Sequence, residues 1–152
     1  MSLHETIETD LREAMRSRDK ARTSALRMLI ASLKNRAIAD GLGSQGRLDD
    51  EVVQQAVATE VKRRKEAAAA FREGGRTESA ESEEAEAQIY AAYLPAQLDD
   101  DELATIIDEA IASVDAEGPK AMGQVMKATM AKVGTGADGG RVSAMVKQRL
   151  LG

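Results

Sequence analysis

The residues best equipped for chemistry lie in the last third of this 152-residue sequence. Lys120, Lys127, Lys132, Arg141, Lys147 and Arg149 stand there with a single acid, Asp138, among them. Such a set suits contacts to phosphate, which hold nucleic acid in a salt-dependent way without reading bases. Within it, Gly134, Gly136 and Gly139 fit the G-x-G-x-x-G pattern. A dinucleotide site built on that pattern needs a strand before it and a βαβ unit around it. Here a helical stretch precedes the glycines and 13 residues follow Gly139, so that use is not expected. Two readings stay open: a plain turn between helices, or a glycine-rich backbone cradling a phosphate at a helix N-terminus beside Arg141.

Other groups offer less chemistry. Lys62-Arg63-Arg64-Lys65 are consecutive, and consecutive helical residues point around most of the cylinder. Glu60 with Arg64 and Lys62 with Glu66 fit i,i+4 pairing, so this stretch reads as a solvated helix surface. Arg12, Arg16, Lys20, Arg22, Arg27, Lys34 and Arg36 make a larger basic set, open either to ordinary solubility or to an anionic partner. His4 is the only histidine and no cysteine is present, which excludes disulfides and thiolate chemistry and leaves no metal-ligand spacing. His4 is expected at the surface. The carboxylates from Glu78 to Glu86 lie in an alanine-rich stretch with no sign of the pocket that would split their pKa values. No catalytic residue, cofactor or metal is therefore assigned. Met122, Met126, Met130 and Met145 read most simply as core filler.

These residues need helices to carry them. The chain is 43% hydrophobic and 31% charged, with aromatics at 2%, and Ala, Leu, Glu, Lys, Arg and Met dominate, as they do in helical proteins. No run approaches the roughly 18 apolar residues a membrane span needs, and a cytoplasmic, membrane-free protein is expected. The net charge of −5 is unevenly distributed: residues 1–76 sum to +3, residues 77–119 to −13, and residues 120–152 to +5. The acid-only middle block is a candidate face for a basic protein partner.

Apolar residues recur at helical spacing through Leu3, Ile7, Leu11, Ala14 and Met15, then through Leu26, Leu29, Ile30, Leu33 and Ala37. Asp19 is placed to cap the second helix, and Asp49 or Asp50 the third. The third helix carries Val53, Ala56, Val57, Val61, Ala68 and Phe71 and stops at Gly74-Gly75. Residues 77–94 read as a weakly packed, solvated helix with a thin face of Ala80, Ala87, Ala91 and Leu94. Pro95 disfavours a helical Leu94, so a joint is placed at Tyr93-Leu94-Pro95-Ala96-Gln97-Leu98. Tyr93, Leu94 and Leu98 are expected to pack the two sides of it together. Beyond it Asp99 and Glu102 match a capping arrangement. Leu103 to Val114, Met122 to Val133, and Val142 to Leu150 then give further apolar stripes. The prediction is an all-α protein: an N-terminal domain (1–94) built as an antiparallel helical hairpin or bundle, and a small C-terminal three-helix domain (95–152).

The order and spacing of several of these motifs resemble the YqeY family. They are Tyr93-Leu94-Pro95-Ala96-Gln97-Leu98 with Glu102-Leu103, Met122-Gly123-Gln124-Val125-Met126-Lys127, and Gly136-Ala137-Asp138-Gly139 with Val142, Val146 and Leu150. Leu26-Arg27-Met28-Leu29 and Gly75-Arg76 extend the likeness to the N-terminal part, while Thr135-Gly136 departs from a family that more often has a basic residue there. The resemblance implies two helical domains, the second similar to the tail of the B subunit of the glutamine-dependent aspartyl/glutamyl-tRNA amidotransferase, which helps to hold tRNA. It carries a family association with carbon–nitrogen ligase activity using glutamine as amide donor, although no residues for that reaction are visible in this chain. The expected partners are tRNA and an amidotransferase or other translation-related protein, not DNA, with the six C-terminal cations as the contact residues. The alternative is a helical protein-interaction module with no RNA role.

Overall fold

Seven helices and no strand make up the described part of this computed structural model, which covers residues 1–115 and 117–151. They are α1 (Leu3–Arg16), α2 (Lys20–Ala39), α3 (Asp50–Glu73), α4 (Thr77–Ala91), α5 (Asp100–Ser113), α6 (Pro119–Val133) and α7 (Gly139–Leu151). The chain divides into two compact units, Met1–Leu94 and Pro95–Gly152.

Local chemistry sets the ends of the first four helices. Ser2 and Glu5 close a reciprocal capping box on α1, and Asp19 caps α2 by accepting the Arg22 N–H at 3.1 Å. The expected side-chain cap on α3 is not made. Asp49 occupies the capping position without a side-chain bond, and Asp50 instead accepts the Leu3 N–H of α1 at 2.8 Å. A carboxylate at one helix start thus serves an orphan donor of another. Helices α1, α2 and α3 end alike, each with a residue at positive φ just past the last turn: Arg18 (60°), Gly41 (79°) and Gly75 (74°). The following N–H reaches back to a carbonyl of the last turn, Asp19 to Ala14, Leu42 to Ala37 and Arg76 to Phe71, which is the Schellman pattern. Glycine takes that conformation freely, whereas Arg18 adopts it at a cost of about 1 kcal/mol.

The core of the first unit joins Ile7 and Ala14 of α1, Leu26, Leu29 and Leu33 of α2, Val53, Val57 and Val61 of α3, and Tyr90 of α4. Residues 77–94 are not the weakly packed stretch the sequence implies, because α4 lies along α3 in the most extensive helix pairing of the unit. Ala68, Ala80 and Ala87 are all buried, and such small side chains allow a close approach that substitutes for bulk. The buried face differs from the expected one at two positions: Ala91 is exposed and Tyr90 is fully buried, its hydroxyl donating to the Ala25 carbonyl at 2.7 Å. Tyr93 also packs on this core, and its hydroxyl donates to Asp10 Oδ2 at 2.6 Å, with Arg22 3.6 Å from the same oxygen. Burial, reinforced by the Asp10 acceptor, pushes the Tyr93 phenol up to about 12.

His4, expected at the surface, is 3% exposed. It sits on the inner side of α1, three residues before Ile7, with Nε2 3.3 Å from Glu8. Glu8 also accepts Arg47 at 2.8 Å, and that guanidinium lowers its pKa. The Lys62–Lys65 stretch is not uniformly solvated either. Glu60 is 6% exposed and accepts Ser32 of α2 at 3.2 Å, Arg63 at 3.0 Å and Arg64 at 3.1 Å. Arg64 also lies 3.6 Å from Glu83 and 3.7 Å from Glu86 of α4.

The second unit has its own core: Leu103, Ile107 and Ala110 of α5, Val125 and Val133 of α6, Ala137, and Val142 and Val146 of α7. Met122, Met126, Met130 and Met145 are partly buried against it, which suits filling between branched side chains. Asp99 caps α5 by accepting the Glu102 N–H at 2.7 Å. Of the joint residues, Tyr93 and Leu94 pack on the first core and Leu98 on the second.

The cluster around Arg64 yields two predictions. Arg64→Ala leaves buried Glu60 with only the more exposed Arg63 as its cation, strips Glu83 and Glu86 of theirs, and should cost about 2–3 kcal/mol in a urea titration. Burial, and then Glu83, raise the pKa of Glu86 by more than Arg64 lowers it. The folded state therefore binds that proton more tightly than the unfolded chain, and stability falls as pH rises through the group's titration. Glu86→Gln should accordingly raise the urea midpoint at neutral pH, with the gain vanishing below about pH 4; a lower midpoint at neutral pH would refute this.

Candidate functional site

The six C-terminal cations separate into two kinds. Arg141, in the first turn of α7, is engaged within the unit: Nη1 donates to the Leu98 carbonyl at 2.8 Å and Nη2 to Asp100 Oδ1 at 2.7 Å. Arg149 forms a two-pronged pair with Asp108 of α5, whose carboxyl it holds below its usual value. Lys132 lies 3.3 Å from Glu109 of α5. By contrast, Lys120, Lys127 and Lys147 are exposed, and no acid pairs with them among the described residues.

Helix α6 explains why two of these lysines stand free. Ala121, Val125, Thr129 and Val133 recur every fourth residue and are all buried. Lys120, Gly123, Gln124, Lys127 and Ala131 occupy the opposite, exposed side, as the helical period requires. The lysines are a heptad apart with Gln124 between them. Gly123 is a mid-helix glycine, and a Cβ placed on it would meet nothing within 4 Å. It carries a helix penalty of about 1 kcal/mol relative to alanine that no packing inside this unit calls for. The spacing of Lys120, Gln124 and Lys127 against the apolar stripe was available in the sequence as the signal for this face, but ranking cations by charge alone does not separate free from paired residues.

The glycine pattern at 134–139 serves a structural purpose. Leu98 N–H donates to the Gly136 carbonyl at 2.8 Å, and Gln97 donates to the Thr135 carbonyl at 3.0 Å. A Cβ on Gly136 would stand 3.1 Å from the Val133 carbonyl and 3.4 Å from Leu98 Cγ, so glycine at 136 spares the turn and the Gln97-Leu98 segment a tight contact. At the start of α7, Asp138 Oδ2 accepts the N–H groups of Gly140 at 3.1 Å and Arg141 at 3.4 Å. A carboxylate thus occupies the place where a cradled phosphate would sit, and Arg141 turns toward Leu98 and Asp100.

Part of the acidic middle block is likewise engaged internally. Glu83 and Glu86 face Arg64, Glu84 accepts Arg72 at 2.8 and 2.9 Å, and Asp100, Asp108 and Glu109 pair as described. Among the described residues no group of three or more His, Cys, Asp or Glu side chains is placed to hold a metal, and no helix is long and apolar enough to cross a membrane.

The sequence profile of the YqeY family, described as Yqey-like protein, matches residues 4–150. The chain belongs to the YqeY family. A comparison with curated proteins finds no match. The YqeY assignment spans both compact units, so the α3–α4 pairing and the Leu98–Gly136 clasp both belong to the region that the family profile describes.

The two kinds of cation predict different outcomes on substitution. Arg141→Ala removes two hydrogen bonds that tie α7 to Leu98 and the start of α5, and should destabilise the second unit by about 1–2 kcal/mol. Lys127→Ala should leave its stability within about 0.5 kcal/mol. Thermal denaturation of the full chain followed by circular dichroism checks both, and equal losses would contradict the distinction.

Proposed function

We propose that this YqeY-family protein is a non-catalytic accessory module that binds tRNA through the outer face of α6 and works beside a tRNA amidotransferase or another translation-related protein in the cytoplasm. The single observation supporting this reading is the pair of exposed, unpaired lysines, Lys120 and Lys127, on a smooth helix face whose centre is Gly123. Cations free of acids release counterions to the solution when they meet phosphates, whereas paired ones must first break a contact. The glycine lets a sugar-phosphate backbone approach α6 closely, and Gln124 adds a donor and an acceptor suited to ribose or phosphate. With Phe71, Tyr90 and Tyr93 as its aromatics, the chain has little with which to stack splayed bases, so shape-guided binding to folded RNA fits better than single-strand reading. The likeness of the C-terminal unit to the amidotransferase tail, and the carbon–nitrogen ligase association of the family, belong to this same reading. No residue of this chain is assigned to the amide transfer itself.

Titrating folded tRNA into the full chain at two salt concentrations tests the proposal. Binding should weaken steeply with salt, and Lys120→Glu with Lys127→Glu should lower affinity at least about tenfold and flatten the salt slope by about 1–2. Arg149→Glu, which loses a pair with Asp108, serves as the comparison and should have the smaller effect. Absence of binding at low salt, or indifference to both salt and the lysine reversals, would overturn the reading.

A further inference from the structure

An open groove of about 540 Å³ lies along the junction of α1 and α2 in the first unit. Met15 and Met28 form its floor, 48% and 43% exposed. Arg18, Lys20 and Arg27 line it as well, and none has an ion-pair partner among the described residues. This sets them apart from Arg22, Arg36, Arg64 and Arg72 of the same unit, each of which has a carboxylate within reach. Met15 was part of the apolar stripe of α1 by spacing, yet it faces out of the core.

We infer that this groove docks a helical segment of a partner protein that carries acidic residues beside large apolar ones. Both halves of that chemistry are present. Methionine is unbranched and polarizable, so a methionine floor adapts to Leu, Ile or Phe side chains of an incoming helix. Three unpaired cations around an apolar floor select carboxylates and reject basic segments. A phosphate backbone would satisfy the cations but gain nothing from covering the methionines. A second copy of this chain is a poor occupant, since both of its acidic helices are committed internally: α4 presents alanines rather than large apolar residues and engages Glu83, Glu84 and Glu86 with Arg64 and Arg72, while α5 packs Leu103, Ile106, Ile107 and Ile111 on its own core and gives Asp100, Asp108 and Glu109 to Arg141, Arg149 and Lys132. The conformation of Arg18 points the same way. It holds an arginine where α2 and α3 have glycine, and that choice keeps a cation at the groove at the expense of the backbone.

The test is selection of the full chain against a display library of random peptides long enough for several helical turns. The enriched sequences should combine Asp or Glu with Leu, Ile, Phe or Met at helical spacing. A labelled peptide of the enriched sequence should bind the full chain in fluorescence anisotropy, and binding should fall at least about tenfold in Met15→Ser with Met28→Ser, and separately in Arg27→Glu. All three side chains are exposed, and unchanged circular dichroism of each variant confirms that folding is not the cause. No enrichment, enrichment of basic or apolar-free sequences, or undiminished binding by either variant overturns the inference. Displacement of the peptide by folded tRNA, equally in the wild type and in Lys120→Glu with Lys127→Glu, also overturns it, because phosphate would then be the occupant.

Discussion

A carboxylate taken out of water must be met by donors, and Glu60 is the residue around which the helices of the first unit arrange themselves to supply them. Ser32 reaches it from α2, Arg63 and Arg64 from its own helix, and Arg64 in turn faces Glu83 and Glu86 on α4. An apolar interface of alanines and valines tolerates a helix sliding by a turn more readily than a charge network does. The polar cluster therefore fixes the register of α2, α3 and α4 while Ala68, Ala80 and Ala87 allow the close approach. Tyr90 and Tyr93 add two anchors, each hydroxyl held by a single oxygen of another helix.

The second unit solves a related problem with less material. Its glycine-rich turn is locked by backbone rather than side-chain bulk, through Leu98 to Gly136, and Arg141 seals the arrangement by donating to the Leu98 carbonyl. Half of the charge that looks generous in the sequence is consumed in this way, because α5 supplies carboxylates to Arg141, Arg149 and Lys132. What is left over, Lys120 and Lys127 on the outer side of α6 and Lys147 on α7, is small and unshielded. That is the physical difference between a cation that holds a fold together and one available to a ligand.

Much of the architecture was legible from periodicity. The helical class, the caps at Asp19 and Asp99 and the glycine stop after α3 follow from local rules, and local rules govern helix ends. What escaped was decided by contacts distant in sequence. His4 is buried although its type and terminal position favour the surface. Asp50 leaves its own helix to serve Leu3. Alanine-rich α4 packs tightly because its partner helix is also small-faced, which a single helix cannot reveal. The candidate cations were all visible as charges, but whether each has an acid opposite depends on how α5 lies against α6 and α7. The floor of the α1–α2 groove was hidden for a similar reason, since a methionine at helical spacing reads as core until its neighbours are placed.

Gly123 carries a consequence for motion as well as for contact. A glycine in the middle of a helix lowers the free energy needed to open the neighbouring backbone hydrogen bonds, and no side chain covers it from within the unit. Amide protons around the middle of α6 should therefore exchange with solvent sooner than those of α5, whose buried Leu103, Ile107 and Ala110 stand on an uninterrupted helix. Anything that grips this face must first quiet it, so occupancy would be recorded as slowed exchange in a segment that is otherwise among the first to open.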